Sequence, residues 1–262
     1  MTLIIAAHQI SFQSNKDQNL RKILGTIEKT NAQLHIFPEY SMGFPIGGIT
    51  SKYLKKTAEK INENFVTSIL EKTKQQKTAA VFTIYLKEKK QIYNTAVLAQ
   101  NGKIKTIYKK IHLFDAFGYK ESDLFASGNQ IALTNVHSFK IGLAICFDLR
   151  FPELFRAMAR KGAELFVIPS AWYFGDNKLE QWNILTKARS HENNTYLIAV
   201  NQTLPQFIGN SIITSPFATT IKQAKIEETT LITKLDKQTL KDSKRLIPTI
   251  LLSKPKLYRK LQ

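Results

Sequence analysis

Along the chain, short unbroken apolar runs alternate with longer amphipathic stretches, a pattern that predicts a layered sheet-and-helix protein. The opening "LIIAAHQ" reads as a buried strand, and residues 17–29 then carry Leu20, Leu24 and Ile27 at helical spacing. "LHIF", ahead of Pro38, reads as a second strand. One helix is predicted over residues 53–74, where Leu54, Ala58, Ile61, Phe65, Ile69 and Leu70 share a face, and it feeds the strand "AAVFTIYL". "IYNTAVLAQ" and "KIKTIYKK" are joined by Asn101-Gly102, a two-residue hairpin signal, so antiparallel strands extend a parallel-looking opening. Further on, "IALTNVHSF" and "IGLAIC" continue the sheet, residues 152–161 form a helix with proline in its first turn, and "AELFVIPS" is another strand. Residues 179–193 read as a helix, and "TYLIAVN", "NSIITSPF" and "ETTLITKL" supply late strands. No internal repeat is visible.

Length and composition narrow this picture. With 262 residues, 43% of them hydrophobic, the chain can bury a sizeable core, and no Pro/Gly/Ser-rich linker divides it, so a single domain over residues 1–262 is expected. The longest apolar runs, such as residues 165–169, are too short to cross a membrane. "MTLIIAAHQI" lacks the basic start and cleavage site of a signal peptide, and one cysteine cannot form an internal disulfide; both features point to the cytoplasm. The 38 Lys+Arg against 20 Asp+Glu leave a net charge of +18, but the lysines are scattered and no arginine-rich aromatic strand accompanies them. A solvated basic surface is expected, with no nucleic-acid and no membrane partner.

Three strand ends deliver polar residues, which is where open α/β sheets place their chemistry. "LHIFPEY" delivers Glu39, "KTIYKKIHLFD" delivers Lys110, and "IGLAICFDLRFPE" delivers Cys146 at the turn into a helix. Such a trio supports metal-free amide hydrolysis. A thiol with an ordinary pKa near 8.5 needs a base before it attacks a carbonyl, and Glu39 could take that proton. The Lys110 ammonium and the Phe147 backbone N–H could hold the oxyanion, after which Glu39 would protonate the leaving amine and activate water against the thioester. Taken singly, each residue has an ordinary explanation: a packed thiol, a capping carboxylate, a surface lysine beside the similar Lys109.

Together they resemble the nitrilase superfamily of carbon-nitrogen hydrolases, whose catalytic set is Glu, Lys and Cys. "FPEY", "YKKIHLFD" and "GLAICFDLRFPEL" look like its glutamate, lysine and nucleophile motifs, and "GYKES" is similar to the segment that supplies a second, positioning glutamate, here Glu121. "IPSAW", "QWNILTKARSHENNTYLIAVNQ" and "GNSIITSP" resemble its later core, with Trp172 bordering the pocket and Tyr40 and Ala171 as further pocket candidates. The resemblance implies an α-β-β-α four-layer sandwich, paired into a homodimer or higher homo-oligomer, with the segment from about residue 236 onward in dimer contacts or a tail. No cofactor is implied. His8, His35, His112, His137 and His191 have no metal-ligand spacing, so no metal site is expected and His112 is read as packing or bonding locally.

Phe147-Asp148 after the cysteine, in place of the Trp-Glu of true nitrilases, favours amides over nitriles as substrates. "CFDLRFPEL" is similar to the branch of omega-amidases and deaminated-glutathione amidases, which act on dicarboxylate monoamides and therefore need a cation for the free carboxylate. Asp148 and Arg150 are expected to form an ion pair that holds the elbow, with Glu153 also structural. The chain departs from the family pattern at "FASGNQ", at Gln181, at Pro216-Phe217-Ala218, where relatives have Pro-x-Gly, and at Lys254 and Lys256. Nitrile or carbamoyl-amide hydrolysis is the alternative within the class, and an inactive binding or scaffold protein the alternative outside it.

Overall fold

A computed structural model describes residues 1–203 and 205–260. The first half runs β1 (Thr2–Gln9), α1 (Lys16–Lys29), β2 (Leu34–Ile36), α2 (Ser51–Thr57), α3 (Asn64–Gln75), β3 (Ala79–Glu88), β4 (Gln91–Gln100) and β5 (Lys103–Lys109). A two-stranded hairpin follows, β6 (Asp115–Ala116) and β7 (Tyr119–Lys120). The second half runs β8 (Ala132–Val136), β9 (Phe139–Leu143), α4 (Pro152–Arg160), β10 (Leu165–Ser170), α5 (Lys178–His191), β11 (Tyr196–Asn201), β12 (Ile212–Thr214), β13 (Thr220–Gln223) and β14 (Thr229–Asp236). Helices α6 (Lys237–Leu246), α7 (Thr249–Leu252) and α8 (Pro255–Lys260) close the described chain.

Two six-stranded sheets form, in the orders β14-β1-β2-β3-β4-β5 and β13-β12-β11-β10-β9-β8. In the first, β1, β2 and β3 are parallel; in the second, β9, β10 and β11 are, and antiparallel strands flank both sets. The two sheets thus share one pattern of parallel and antiparallel pairing, with β14 from the second half completing the first sheet, although no repeat is legible in the residues. The sheets face each other through β1 with β11, β3 with β10 and β5 with β8. Period-two alternation assigns the faces: Val81 and Leu98 belong to the core between the sheets, whereas Ala80, Phe82 and Val97 pack under α1 and α3 with Ile23, Ile27, Phe65 and Ile69. On the far side, α4 and α5 cover the second sheet with Leu154, Phe155, Met158 and Trp182. This is the four-layer α-β-β-α sandwich.

Local differences from the sequence expectation have physical causes. The helix expected over residues 53–74 is two helices, because Ala58 turns extended and Glu59 joins the edge of β3, its N–H donating to Tyr85 O and its carbonyl accepting from Lys87 N. The Glu59 carboxylate then accepts from Phe65 N at 2.8 Å inside the first turn of α3 and pairs with Lys16. The β8–β9 turn falls at His137, with a positive φ of 49°, so Phe139 opens the second strand rather than closing the first. The Asn101-Gly102 hairpin forms as expected, with both residues at positive φ. No helix among the described residues is long and apolar enough to cross a membrane.

Candidate active site

Glu39 leaves the C-terminal end of β2 after Phe37 and Pro38 and is buried. Its Oε1 accepts from Lys110 Nζ at 3.0 Å and from Asn94 Nδ2 at 2.7 Å, while Oε2 accepts from the Ala171 N–H at 3.0 Å. Lys110, directly after β5, is also buried, and its ammonium donates to Glu121 Oε2 at 2.8 Å. Glu121 completes its shell with the Phe114 N–H at 2.7 Å and Asn94 Nδ2 at 3.1 Å. The result is one ammonium between two carboxylates, knitted by an amide. Burial opposes the charge on Lys110, but Glu121 and Glu39 outweigh it and hold the amine well above its ordinary value. Burial pushes the Glu39 carboxyl up; Lys110 opposes that rise and the Glu121 charge adds to it.

The backbone behind Lys110 is locked. Its N–H donates to Asn94 O at 2.9 Å and its carbonyl accepts from Gly128 N at 2.8 Å. A Cβ on Gly128 would stand 2.2 Å from Lys109 O, so the "FASGNQ" segment keeps glycine where the chain must pass that carbonyl.

Cys146 follows β9 by three residues and opens a tight helical turn over Cys146–Arg150 with φ of 43°. A β-substituted residue in the left-handed region costs about 1–3 kcal/mol, and such a strained strand-to-helix turn presents a nucleophile. Asp148 holds the turn: Oδ2 accepts from Ile145 N at 2.9 Å and Tyr108 Oη at 2.8 Å, and Oδ1 takes His112 N at 3.1 Å and contacts His112 Nδ1 at 2.7 Å. The expected Asp148–Arg150 ion pair is therefore absent, because strand β5 and the segment after it saturate the carboxylate. Glu153 lies exposed in the first turn of α4. His112 packs locally, stacked on Phe151 with ring centroids 3.7 Å apart. Burial pushes the Cys146 thiol well above its ordinary value, the Glu39 charge adds to this, and Lys110 opposes it.

Cys146, Lys110, Phe147, Tyr40, Ala171 and Trp172 line one narrow recess, open at its mouth. A carbon-nitrogen hydrolase family model matches residues 4–245.

The chain belongs to the carbon-nitrogen hydrolase family.

It is 31% identical over 227 residues to the deaminated glutathione amidase of Escherichia coli, covering 85% of this chain and 86% of that one. To the omega-amidase NIT2 of Bos taurus it is 27% identical over 272 residues, covering 98% and 97%. Among solved structures, Saccharomyces cerevisiae Nit3, a member of branch 10 of the nitrilase superfamily, superposes with a TM-score of 0.85 at 25% identity, covering 97% and 96%. As a carbon-nitrogen hydrolase the protein is an enzyme acting on C–N bonds.

Sequence reasoning missed Phe114, Tyr173 and Lys178 in the lining of this hydrolase's recess, and the two roles that follow. Asn94 donates to both glutamates; the available signal was a lone amide inside the apolar strand "IYNTAVLAQ". Arg150, assigned a structural role, lines the recess instead, donating to Gln181 Oε1 at 2.7 Å with its guanidinium 4.6 Å from the Trp172 ring centroid. Gln181, the departure from the family pattern, is thus the residue that aims Arg150.

Proposed function

We propose that this protein hydrolyses a small linear amide, a dicarboxylate monoamide, to carboxylate and ammonia through a thioester on Cys146. The observation that carries the reading is the buried Glu39–Lys110–Glu121 set at the recess that holds the thiol. Glu39 takes the Cys146 proton as sulfur bonds to the amide carbon, and the carbonyl electron pair moves onto oxygen. Lys110, kept charged by its two carboxylates, and the Phe147 N–H face that oxyanion. On collapse the C–N bond breaks and Glu39 returns the proton to nitrogen, releasing ammonia and leaving the thioester. Water then adds as Glu39 takes its proton, and the C–S bond breaks with Glu39 returning that proton to sulfur, which gives the acid and restores the thiol. Because the thiol is held protonated, proton transfer accompanies attack rather than preceding it. Glu121 is a positioning residue that fixes Lys110.

Substrate class is supported by the names of the relatives and by Arg150, which has no ion-pair partner among the described residues and suits a carboxylate. A homodimer in a reducing cytoplasm fits the exposed apolar side chains of Leu246, Leu251 and Leu252 and the free thiol. The test is ammonia release from a panel of neutral amides, dicarboxylate monoamides and matching nitriles, by the protein and its Cys146→Ala variant. Release from amides by wild type alone is expected. Release chiefly from nitriles transfers the protein to nitrile hydrolysis, and equal rates in both proteins remove Cys146 from the mechanism.

A further inference from the structure

We propose that Lys178, whose ammonium rests on the Phe117 ring beside Arg150, is a specificity-determining residue that takes the carboxylate of the substrate. This rests on the dicarboxylate reading above and extends it to a second cation at the mouth of the recess.

Lys178 is the first residue of α5 and lines the same recess as Cys146. Its Nζ lies 3.4 Å from the Phe117 ring centroid and 5.9 Å from that of Phe114. Phe117 sits at the tip of the β6–β7 hairpin with φ of 56° and is 72% exposed, and it presents a ring face to the amine. Among the described residues no carboxylate pairs with Lys178 or with Arg150, although Asp176 is only two residues away. Arg150 Nε, besides, is buried without a hydrogen-bond partner.

Two cations that line an apolar recess without a counter-charge are an expensive arrangement. Burial lowers the pKa of both, and for Lys178 the Arg150 charge adds to the effect. A ring quadrupole compensates an ammonium less than a carboxylate does in a desolvated pocket. An incoming carboxylate therefore displaces the ring as the partner of Lys178 and removes the mutual repulsion of the two cations. Lys110 cannot do this work, because Glu39 and Glu121 already neutralise it. Among the described residues the Lys178 side chain makes no hydrogen bond; its hydrogen bonds are backbone ones, its carbonyl accepting from Trp172 Nε1 at 3.0 Å.

The test compares wild type, Lys178→Met and Lys178→Arg. Methionine keeps the apolar contact with the two rings and removes only the charge. Calorimetry with glutarate reads anion binding without turnover: the Met variant should bind at least about tenfold more weakly, a change of about 1.4 kcal/mol, and the Arg variant should recover most of it. In turnover, kcat/KM for succinamate relative to neutral butanamide should fall by a similar factor in the Met variant, through KM. Unchanged glutarate affinity, absence of glutarate binding to wild type, or equal losses on the two amides overturns the role of Lys178. If wild type releases no ammonia from any amide yet glutarate binding still depends on Lys178, it is the amidase reading that fails and the anion site that stands.

Discussion

At the scale of single residues, the proposed mechanism rests on three groups that burial and neighbouring charge together displace in a shared direction. The Cys146 thiol is held up, and so is the Glu39 carboxyl, while Lys110 is held charged. A base with a raised pKa is better matched to neutral pH than an ordinary carboxylate, and a thiol that keeps its proton needs that base within reach. The sign for activity follows: protonated Glu39 cannot accept the thiol proton, so kcat/KM falls as pH drops through the raised value. The acidic limb of a kcat/KM profile on a neutral amide should have its midpoint above the usual carboxylate range of about 4; a midpoint at or below it removes Glu39 as the base. The three motif residues were legible because each stands at a strand end in a recognisable segment. Asn94 was not, because an amide inside a strand carries no motif and gains its role only when β4 lies beside both glutamates.

At the scale of elements, turns and strand contacts show what replaced residues cost. Ala218, where the family pattern has glycine, adopts φ of 62°, its N–H donating to Ser215 O at 3.1 Å in a tight turn. The Cβ is strained there, so Ala218→Gly should stabilise the protein by about 0.5–1 kcal/mol despite the added freedom of the unfolded chain, read from urea unfolding. Three neighbouring strands also share a histidine contact: His8 Nε2 is 3.0 Å from His35 Nδ1, and His8 Nδ1 is 3.0 Å from Thr230 Oγ1. Burial pushes His8 down to about 3, with the His35 charge adding, and His35 down to about 4. Both folded values lie below the unfolded one near 6.5, so this stability is complete above about pH 6.5 and drains as pH falls toward 4 and 3. Each histidine loses up to about 1.4 kcal/mol per pH unit, so unfolding free energy should decline between pH 6.5 and 5, and a His8→Gln/His35→Gln variant should show a flatter decline. Element type was readable from the residues wherever apolar periodicity was strong. It misled over residues 53–74, where one apolar face continues through Glu59 although the backbone breaks to join β3.

At the scale of the whole molecule, the charge of +18 and the exposed leucines of the C-terminal helices pull in opposite directions on assembly. Leu246, Leu251 and Leu252 are 59%, 82% and 70% exposed, a cost that a second copy would relieve. Sedimentation should show a homodimer for wild type and a monomer for a Leu251→Glu/Leu252→Glu variant; a monomeric wild type removes the dimer. The residues by themselves determined the alternation of strands and helices, the Glu39, Lys110, Glu121 and Cys146 set, and the family, because apolar periodicity and short motifs are local properties of a chain. Tertiary structure alone decided that the two sheets share one pairing pattern, that Asp148 serves the elbow through Tyr108 and His112, and that Arg150 and Lys178 line the same recess. Those facts depend on which strand ends converge when two sheets stack, and a polar residue's partners across that convergence, such as Glu39 and Ala171 at 132 positions apart, lie far beyond the reach of any local pattern.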